Sequence, residues 1–241
     1  MLTPFGYFDL IDEMGKTGCA VCNLLQRDAK KTLNTILYEY VTDPEMHQIF
    51  RASRGLCNEH GWQLTEIRNA LSIAVLYRAV VDEVLKEIDR NIPDGKSPKR
   101  GMRQLFGKNQ NAALVDGLSH HQPCPVCKKN AENEERYIMV LSDSLLDEKL
   151  MSAYRASDGL CLVHFRQVLD RTSDVEGSQA LIEIQRTIWQ QLRHELAEFA
   201  RKYDHNNADE AMGDEADSWL RAVRQIGGDK GVFGLRDSSS K

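Results

Sequence analysis

The sequence predicts an all-α fold in which one helical unit occurs twice. Three stretches, residues 21–41, 62–92 and 179–203, carry apolar residues at the spacing of a helix that buries one face. No segment alternates apolar and polar residues for long enough to predict a strand. A ten-residue pattern also recurs 104 positions later (155 minus 51). Together these observations indicate a duplicated helical protein.

The duplication includes two kinds of cysteine motif. C-x-x-C occurs at residues 19–22 and 124–127, an offset of 105 (124 minus 19). The pattern R-A-S-x-G-L-C-x-x-H occupies residues 51–60 and 155–164. All 6 cysteines of the chain fall inside these motifs. Cysteines that were only small core residues would not repeat in register, so the pattern predicts metal ligands.

Each repeat contains the ligands that one structural metal site needs. Structural zinc is held by four cysteine or histidine side chains in a closed tetrahedron. A C-x-x-C pair can direct both sulfurs at one ion, and a cysteine and a histidine three positions apart share one face of a helix. We therefore expect two zinc ions per chain, each held within one repeat. The predicted ligands are Cys19, Cys22, Cys57 and His60 in one site, and Cys124, Cys127, Cys161 and His164 in the other.

Between its ligand pairs, each repeat must fold back as a helical hairpin. A single straight helix over this segment would extend ~45 Å at 1.5 Å per residue, and the site could not close. Asp43 suits the N-cap of the returning helix and Pro44 its first position. Residues 142–143, Ser-Asp, are the matching break in the second repeat. Gly55 and Gly159 lie where a left-handed helix stop is expected, just before the third cysteine of each site.

A long helix is expected after each hairpin, the first beginning at His60 and the second near His164. The apolar stripes are interpreted as core-facing surfaces rather than cofactor-binding ones. The predicted core positions are Val21, Leu24, Leu25, Leu33, Ile36, Leu37 and Val41 in the first stretch, Ile67, Ala70, Leu71, Ala74, Val75, Val81, Val84, Leu85 and Ile88 in the second, and Leu181, Ile184, Ile188, Leu192, Leu196, Phe199 and Tyr203 in the third.

The predicted organisation is two repeats, a linker and a tail. The first repeat covers residues 1–92, the linker 93–122, the second repeat 123–205 and the C-terminal helix and tail 206–241. The linker is rich in Gly, Pro, Ser and Asn. A basic segment within it is interpreted either as a solvated linker or as an arm for an anionic partner. Its basic residues are Lys96, Lys99, Arg100, Arg103 and Lys108, with no acidic residue among them.

Two further features allow alternative interpretations. In residues 219–234, Trp219 and Phe233 are large apolar side chains that either dock on the body of the protein or insert into a partner. His120 and His121, just before the second C-x-x-C, are interpreted as loop histidines, with spare ligands as the alternative.

Composition narrows the functional classes. Asp and Glu outnumber Lys and Arg by 36 to 31, and the formal net charge of −5 argues against charge-driven binding to nucleic acid. No stretch approaches the ~20 apolar residues of a membrane span. The N-terminus lacks the basic start and apolar run of a secretory signal. We therefore expect a cytoplasmic protein whose cysteines stay reduced and which does not bind membranes.

The cysteine and histidine motifs resemble those of a bacterial and archaeal family of uncharacterised proteins, the domain of unknown function 6062. The resemblance covers roughly residues 17–65 and 122–170. The first C-x-x-C has Ala20 where the second has Pro125, a difference that changes no ligand. The resemblance implies a metal-binding helical architecture and brings no established activity with it.

The closed ligand sets favour a non-enzymatic adaptor or scaffold that is stabilised by zinc and binds protein partners, because four protein ligands leave no position for water or substrate. The chain has no Gly-rich phosphate loop, G-x-S-x-G or H-E-x-x-H motif. The carboxylates at 134–135 and 214–215 are interpreted as surface charge. An iron–sulfur redox protein with two Cys3His-ligated clusters is the main alternative. A zinc module that binds nucleic acid is a third, which the acidic balance disfavours.

Overall fold

The computed structural model describes residues 5–91, 112–204, 207 and 209–233. The regular elements among these residues are eleven α-helices and a short 3-10 helix, with no strand, which confirms the all-α prediction. None of these helices is both long and apolar enough to cross a membrane. The helices are α1 (Tyr7–Met14), α2 (Ala20–Tyr38), α3 (Pro44–Ala52), α4 (Asn58–Glu66), α5 (Ala70–Asn91), α6 (Ala112–Leu118), α7 (Pro125–Asp143), α8 (Glu148–Arg155), α9 (Leu162–Arg171), α10 (Val175–Lys202) and α11 (Ser218–Gly227), with the 3-10 helix at Asp214–Asp217.

The chain forms two compact units that differ from the predicted repeats. Unit 1 combines Met1–Asp28 with Asn130–Lys241, and unit 2 is Ala29–Lys129. The unit boundaries fall inside α2 and α7, whereas the predicted boundaries were at residues 92 and 123. Each unit therefore contains part of both predicted repeats.

The core of unit 1 is formed by α1, α7, α8, α9 and α10 with the first turns of α2. The start of α2 contributes Val21, Leu24 and Leu25, which are buried as the apolar stripe predicts. Tyr137 of α7 and Tyr154 of α8 are the largest fully buried side chains of this core. The hydroxyl groups of both tyrosines donate to side-chain oxygens, so their burial leaves no phenol without an acceptor.

The core of unit 2 is built on the second half of α2. Leu33, Ile36 and Leu37 are buried here, as predicted, and they belong to one cluster with Phe50 of α3 and Leu64 of α4. The apolar stripe of α2 thus continues from unit 1 into unit 2, and it forms core along most of its length.

The prediction of one continuous helix from His60 is wrong. α4 and α5 are separate helices, because Arg68 between them has a left-handed φ of 60°. The helix that follows the second hairpin is also interrupted, because α9 and α10 are separate. There Asp174 is the N-cap of α10, and its carboxylate accepts from the backbone amides of Glu176 and Gly177 at 3.2 Å each. The last long stretch nevertheless lies almost wholly within α10.

The buried face of α5 is not the predicted one. The helix is continuous and carries apolar residues on more than one face, so apolar spacing alone does not identify the buried face. α5 buries Leu76 and Val80. The predicted core positions Leu71, Val75, Val81 and Leu85 are exposed, so these predictions are wrong.

Both hairpin turns are present at the predicted positions. Asp43 is the N-cap of α3 and accepts from a backbone amide at 2.8 Å, with Pro44 as the first helical residue, as predicted. In the second repeat α7 ends at Asp143, and the cap of α8 is Asp147, which accepts from a backbone amide at 2.9 Å. The residue that breaks the helix and the residue that caps the next one are therefore different.

Asp147→Ala is expected to lower the free energy of unfolding by about 1–2 kcal/mol. The change removes an N-cap, typically worth about 1 kcal/mol, and an acceptor for the Tyr7 hydroxyl, which lies 2.6 Å from Oδ1 of Asp147. Urea unfolding of the wild type and the variant measures the difference. Asp143→Ala is the matched control and should change stability by less than about 0.5 kcal/mol. Equal effects of the two substitutions would contradict the assignment of the cap.

The linker and the tail are only partly described. α6 lies within the predicted linker, and the basic segment 96–108 falls outside the described residues. α11 ends at Gly227, as expected from the sequence. Phe233 packs against the core of unit 1, so the expectation that it docks on the body is confirmed. Trp219 is 54% exposed, so about half of its surface is open to solvent.

Candidate metal centres

The eight predicted ligands form two groups of four. In each group, one ligand atom from every residue lies within 4.8 Å of all the others. His120 and His121 belong to neither group. Each group lies inside one compact unit. Centre 1, in unit 1, consists of Cys19, Cys22, Cys161 and His164, and centre 2, in unit 2, consists of Cys57, His60, Cys124 and Cys127.

The predicted pairing of the ligand motifs is wrong, since each C-x-x-C pair meets the C-x-x-H pair of the other repeat. The physical reason is the length of the hairpin arms. Each C-x-x-C pair lies at the start of a 19-residue helix, α2 or α7, which is about 28 Å long. The returning helices α3 and α8 have 9 and 8 residues and are about 14 and 12 Å long. They end about half-way back, and the turns at Gly55 and Gly159 follow, so Cys57 and Cys161 do not return to the C-x-x-C of their own repeat.

Every ligand pair lies at the N-terminus of a helix. In centre 1, Cys19 immediately precedes α2 and Cys161 is the N-cap of α9. In centre 2, Cys57 is the N-cap of α4 and Cys124 immediately precedes α7. The N-terminus of a helix carries partial positive charge and free backbone amides, which stabilise thiolates. The fold therefore directs two helix N-termini at each group of sulfurs.

Glycine holds the turn before the third cysteine of each motif, as predicted. Gly55 has a φ of 85° and Gly159 a φ of 80°, both in the left-handed region. A Cβ on Gly159 would lie only 2.8 Å from Oε1 of Gln185. The same oxygen accepts from the backbone amide of Leu160 at 2.9 Å. The turn that presents Cys161 is thus held by a hydrogen bond that leaves no space for a larger residue at position 159.

The ligand atoms of centre 1 are fully enclosed. Nδ1 of His164 lies 3.4 Å from Sγ of Cys19, 3.5 Å from Sγ of Cys22 and 3.3 Å from Sγ of Cys161. Sγ of Cys22 and Sγ of Cys161 are 3.8 Å apart. All four side chains are at most 2% exposed. An ion held here would be shielded from solvent on every side.

Centre 2 has the same geometry but is more open. Nδ1 of His60 lies 3.2 Å from Sγ of Cys57, 3.7 Å from Sγ of Cys124 and 3.3 Å from Sγ of Cys127. Sγ of Cys57 and Sγ of Cys127 are 3.5 Å apart. His60 and Cys124 are buried, whereas Cys57 and Cys127 are partly exposed. Solvent therefore has access to this centre from the side of two sulfurs.

These distances match the edges of a tetrahedron around a single ion. Zn–S distances of about 2.3 Å and Zn–N distances of about 2.05 Å correspond to S···S edges of about 3.8 Å and S···N edges of about 3.6 Å. The S···S separations are 3.8 and 3.5 Å, and the S···N separations range from 3.2 to 3.7 Å. Three sulfurs and an imidazole nitrogen are also a donor set that zinc prefers. The residues present can therefore hold a metal ion.

In both groups, contacts among the ligand side chains shift their pKa values. In centre 1, hydrogen bonding with Cys161 and Cys19 raises the pKa of Cys22 far above its usual range, while hydrogen bonding with Cys19 and Cys22 lowers the pKa of Cys161. Burial lowers the pKa of His164, but its contacts with Cys161 and Cys19 outweigh this effect and raise the pKa well above the usual value. In centre 2, burial lowers the pKa of His60, but its hydrogen bonds with Cys124 and Cys57 outweigh this effect and raise the pKa to about 9. Because cysteine and histidine must lose their protons to bind a metal ion, metal binding at either centre would release protons and weaken in acid.

Glu134 is a neighbour of centre 1 that the sequence did not indicate. It was interpreted as surface charge, yet Oε1 of Glu134 lies 3.5 Å from Nε2 of His164. Its side chain is only 20% exposed. Nothing in the spacing of Glu134 from Cys124 or Cys127 signals this contact, because Glu134 lies beside centre 1 whereas those two cysteines belong to centre 2.

A cavity of about 290 Å³ lies in unit 1 beside the segments that precede Cys19 and Cys161. Of its four charged lining side chains, Glu195, Arg221 and Arg224 are engaged in ion pairs, and Asp158 accepts from the backbone amide of Gly18 at 2.7 Å. Nη2 of Arg221 lies 2.6 Å from Oε2 of Glu195, and Nε of Arg224 lies 3.2 Å from Oδ1 of Asp229. Each charged side chain in the lining therefore already has a partner within the protein.

Comparison with known proteins identifies the family to which the chain belongs. The model of the family described as "Family of unknown function (DUF6062)" matches residues 15–232, and the chain therefore belongs to this family. The chain is also similar to an "Uncharacterized 23.9 kDa protein in xynA 3'region" of Caldicellulosiruptor sp. (strain Rt8B.4). The two are 24% identical over 221 residues, which cover 91% of this chain and 99% of that protein. No solved structure matches the chain significantly.

Proposed function

We propose that this member of the DUF6062 family is a non-enzymatic cytoplasmic scaffold, stabilised by two structural zinc ions, that binds a protein partner. The observation that carries the proposal is the pair of closed ligand sets, each of three cysteines and one histidine. Four protein ligands complete the coordination of zinc and leave no open position at which a substrate or an activated water could bind. Such a site stabilises a fold rather than performing a reaction.

The compactness of both groups supports a single ion rather than an iron–sulfur cluster. In a cluster the ligands bind different iron atoms, so the cysteine sulfurs must surround several metal and sulfide atoms. Here all four ligand atoms of a group lie within 4.8 Å of one another. That space fits one tetrahedral ion, and the Cys3His donor set favours zinc over harder cations.

Exposed apolar side chains on α11 support a role in protein binding. Trp219, Val223 and Ile226 follow one another at helical spacing and are each more than half exposed. Contiguous apolar surface of this kind commonly marks an interaction site. The net charge of −5 argues against nucleic acid as the partner. Co-purification of a protein from the native host in fixed stoichiometry tests this part of the proposal.

The metal content provides the direct test of the sites. Purified protein should contain two zinc ions per chain and be colourless, because each closed Cys3His set holds one ion without a chromophore. Native mass spectrometry counts the ions, and elemental analysis identifies them. Protein denatured in acid and passed through a desalting column is the metal-free control. A brown protein that contains iron and acid-labile sulfide after anaerobic purification would overturn the zinc proposal.

A further inference from the structure

We infer that Glu134 is a positioning residue for His164 and that it makes centre 1 bind its metal ion more tightly than centre 2. The inference rests on the proposed metal-binding function. The two centres have the same ligand types, and we compare the groups that surround Nε2 of His164 and Nε2 of His60.

In centre 1 the two nitrogens of the histidine face different groups. Nδ1 of His164 faces the three sulfurs, at 3.3 to 3.5 Å. Nε2, on the other side of the ring, lies 3.5 Å from Oε1 of Glu134. When Nδ1 binds a metal ion, Nε2 carries the proton of the neutral ring and can only donate it. A carboxylate acceptor at that nitrogen holds the ring orientation and increases the basicity of the ligand nitrogen.

The carboxylate is itself held in place. Nε2 of Gln167, on α9, donates to Oε1 of Glu134 at 2.7 Å. This bond connects α7 to the helix that carries His164. At 3.5 Å the separation between Glu134 and His164 is an ion-pair distance, longer than a standard N–H···O hydrogen bond. The pair is nevertheless shielded, because His164 is fully buried.

Centre 2 has no such acceptor. Nε2 of both histidines is buried without a standard hydrogen bond to a described residue, so the centres differ in the nearby carboxylate. Nε2 of His164 has Oε1 of Glu134 at 3.5 Å, whereas no described carboxylate lies within ion-pair distance of His60. The offset of 105 between the C-x-x-C motifs explains the difference, because position 134 in the second repeat corresponds to position 29 (134 minus 105) in the first. That residue is Ala29, which is buried and belongs to the core of unit 2. A methyl group cannot accept the proton of Nε2.

The two centres should therefore release metal at different rates. In the wild-type protein loaded with zinc, a chromophoric chelator should remove the two ions in two phases, the faster from centre 2. The variants Cys57→Ser and Cys161→Ser assign the phases, because each impairs one centre. Partial exposure of Cys57 and Cys127 adds to the difference, so substitution of Glu134 is needed to isolate the effect of the carboxylate.

Glu134→Ala should weaken zinc binding at centre 1 by about 10–100-fold and leave centre 2 unchanged. Glu134→Gln keeps a neutral acceptor of the same size and should give a smaller loss, and it also serves if the alanine variant folds poorly. Glu135→Ala is the matched control on the same helix, since Glu135 is 76% exposed, and it should leave both phases unchanged. The affinities come from competition with the chelator.

A spectroscopic readout separates positioning from general damage to the fold. In the zinc-loaded wild type, the Nε2–H proton of His164 should give a downfield NMR signal that exchanges slowly with solvent. This signal should move upfield in Glu134→Ala, while that of His60 stays where it is. Unchanged chelation and an unchanged signal in both Glu134 variants would overturn the inference, and so would an equal loss at both centres. Wild-type protein that binds no ion would instead refute the proposed function, since two bound ions are the premise of every comparison here.

Discussion

Cys161→Ser is expected to speed amide hydrogen exchange in residues 5–28 and 130–233 far more than in residues 29–91 and 112–129. Cys161 belongs to centre 1, whose four ligands all lie in unit 1. Structural zinc contributes about 10–16 kcal/mol to folding in small zinc-finger peptides. Unit 1 also has a large apolar core, so we expect a loss of several kcal/mol of local stability, on the order of a third to a half of that figure. Hydrogen exchange followed by mass spectrometry measures this change segment by segment.

The start of α2 is the segment that distinguishes the observed pairing from the predicted one. In the structure, Cys19 and Cys22 belong to the same ligand group as Cys161, so residues 19–28 should lose protection in Cys161→Ser. If each repeat held its own ion, these residues would stay protected. Cys57→Ser is the matched control and should give the opposite pattern, with the larger change in unit 2. Loss of protection around residues 124–164 alone, with the start of α2 unchanged, would contradict centre 1.

The identity of the ligand residues was predictable, whereas their pairing was not. All 6 cysteines lie in repeated motifs, and these motifs alone identify the residues that converge. Which pairs meet depends on the relative lengths of α2 and α3, and on those of α7 and α8. Sequence signals mark both ends of the returning helix, at Asp43 and Gly55, but they do not show how the loop that leads to Cys57 folds. A hairpin whose two helices differ in length can carry the same metal-ligand motifs as one whose helices are equal, so the motifs alone do not determine the pairing.

The core was predictable along α2 and not along α5. The stripe of α2 was correct because the apolar residues of that helix lie mainly on one face. The stripe assigned to α5 was wrong because that helix carries apolar residues on more than one face, and the single helix expected from His60 was wrong because Arg68 adopts a left-handed conformation. Arginine has no special preference for that conformation, so the residue type gives no warning of the break. In the same way, the contact of Glu134 with His164 depends on how α7 and α9 pack, and one residue of an amphipathic helix does not show it.

Two double variants should differ most strongly in metal content. Cys22→Ser with Cys161→Ser removes two ligands from centre 1 and leaves centre 2 complete. Cys22→Ser with Cys57→Ser removes one ligand from each centre and leaves neither complete. Because a structural zinc site needs its four ligands for tight binding, only the first variant should keep a tightly held ion. Both variants carry two Cys-to-Ser changes, so each is the control for the other.

The measurement that tests the crossed arrangement most directly is a count of zinc ions by native mass spectrometry on these two variants after challenge with a chelator. We expect one ion per chain in the Cys22→Ser, Cys161→Ser protein and none in the Cys22→Ser, Cys57→Ser protein. The reverse result, with the ion kept only when Cys22 and Cys57 are both replaced, would show that each repeat holds its own metal and would contradict the two centres described above.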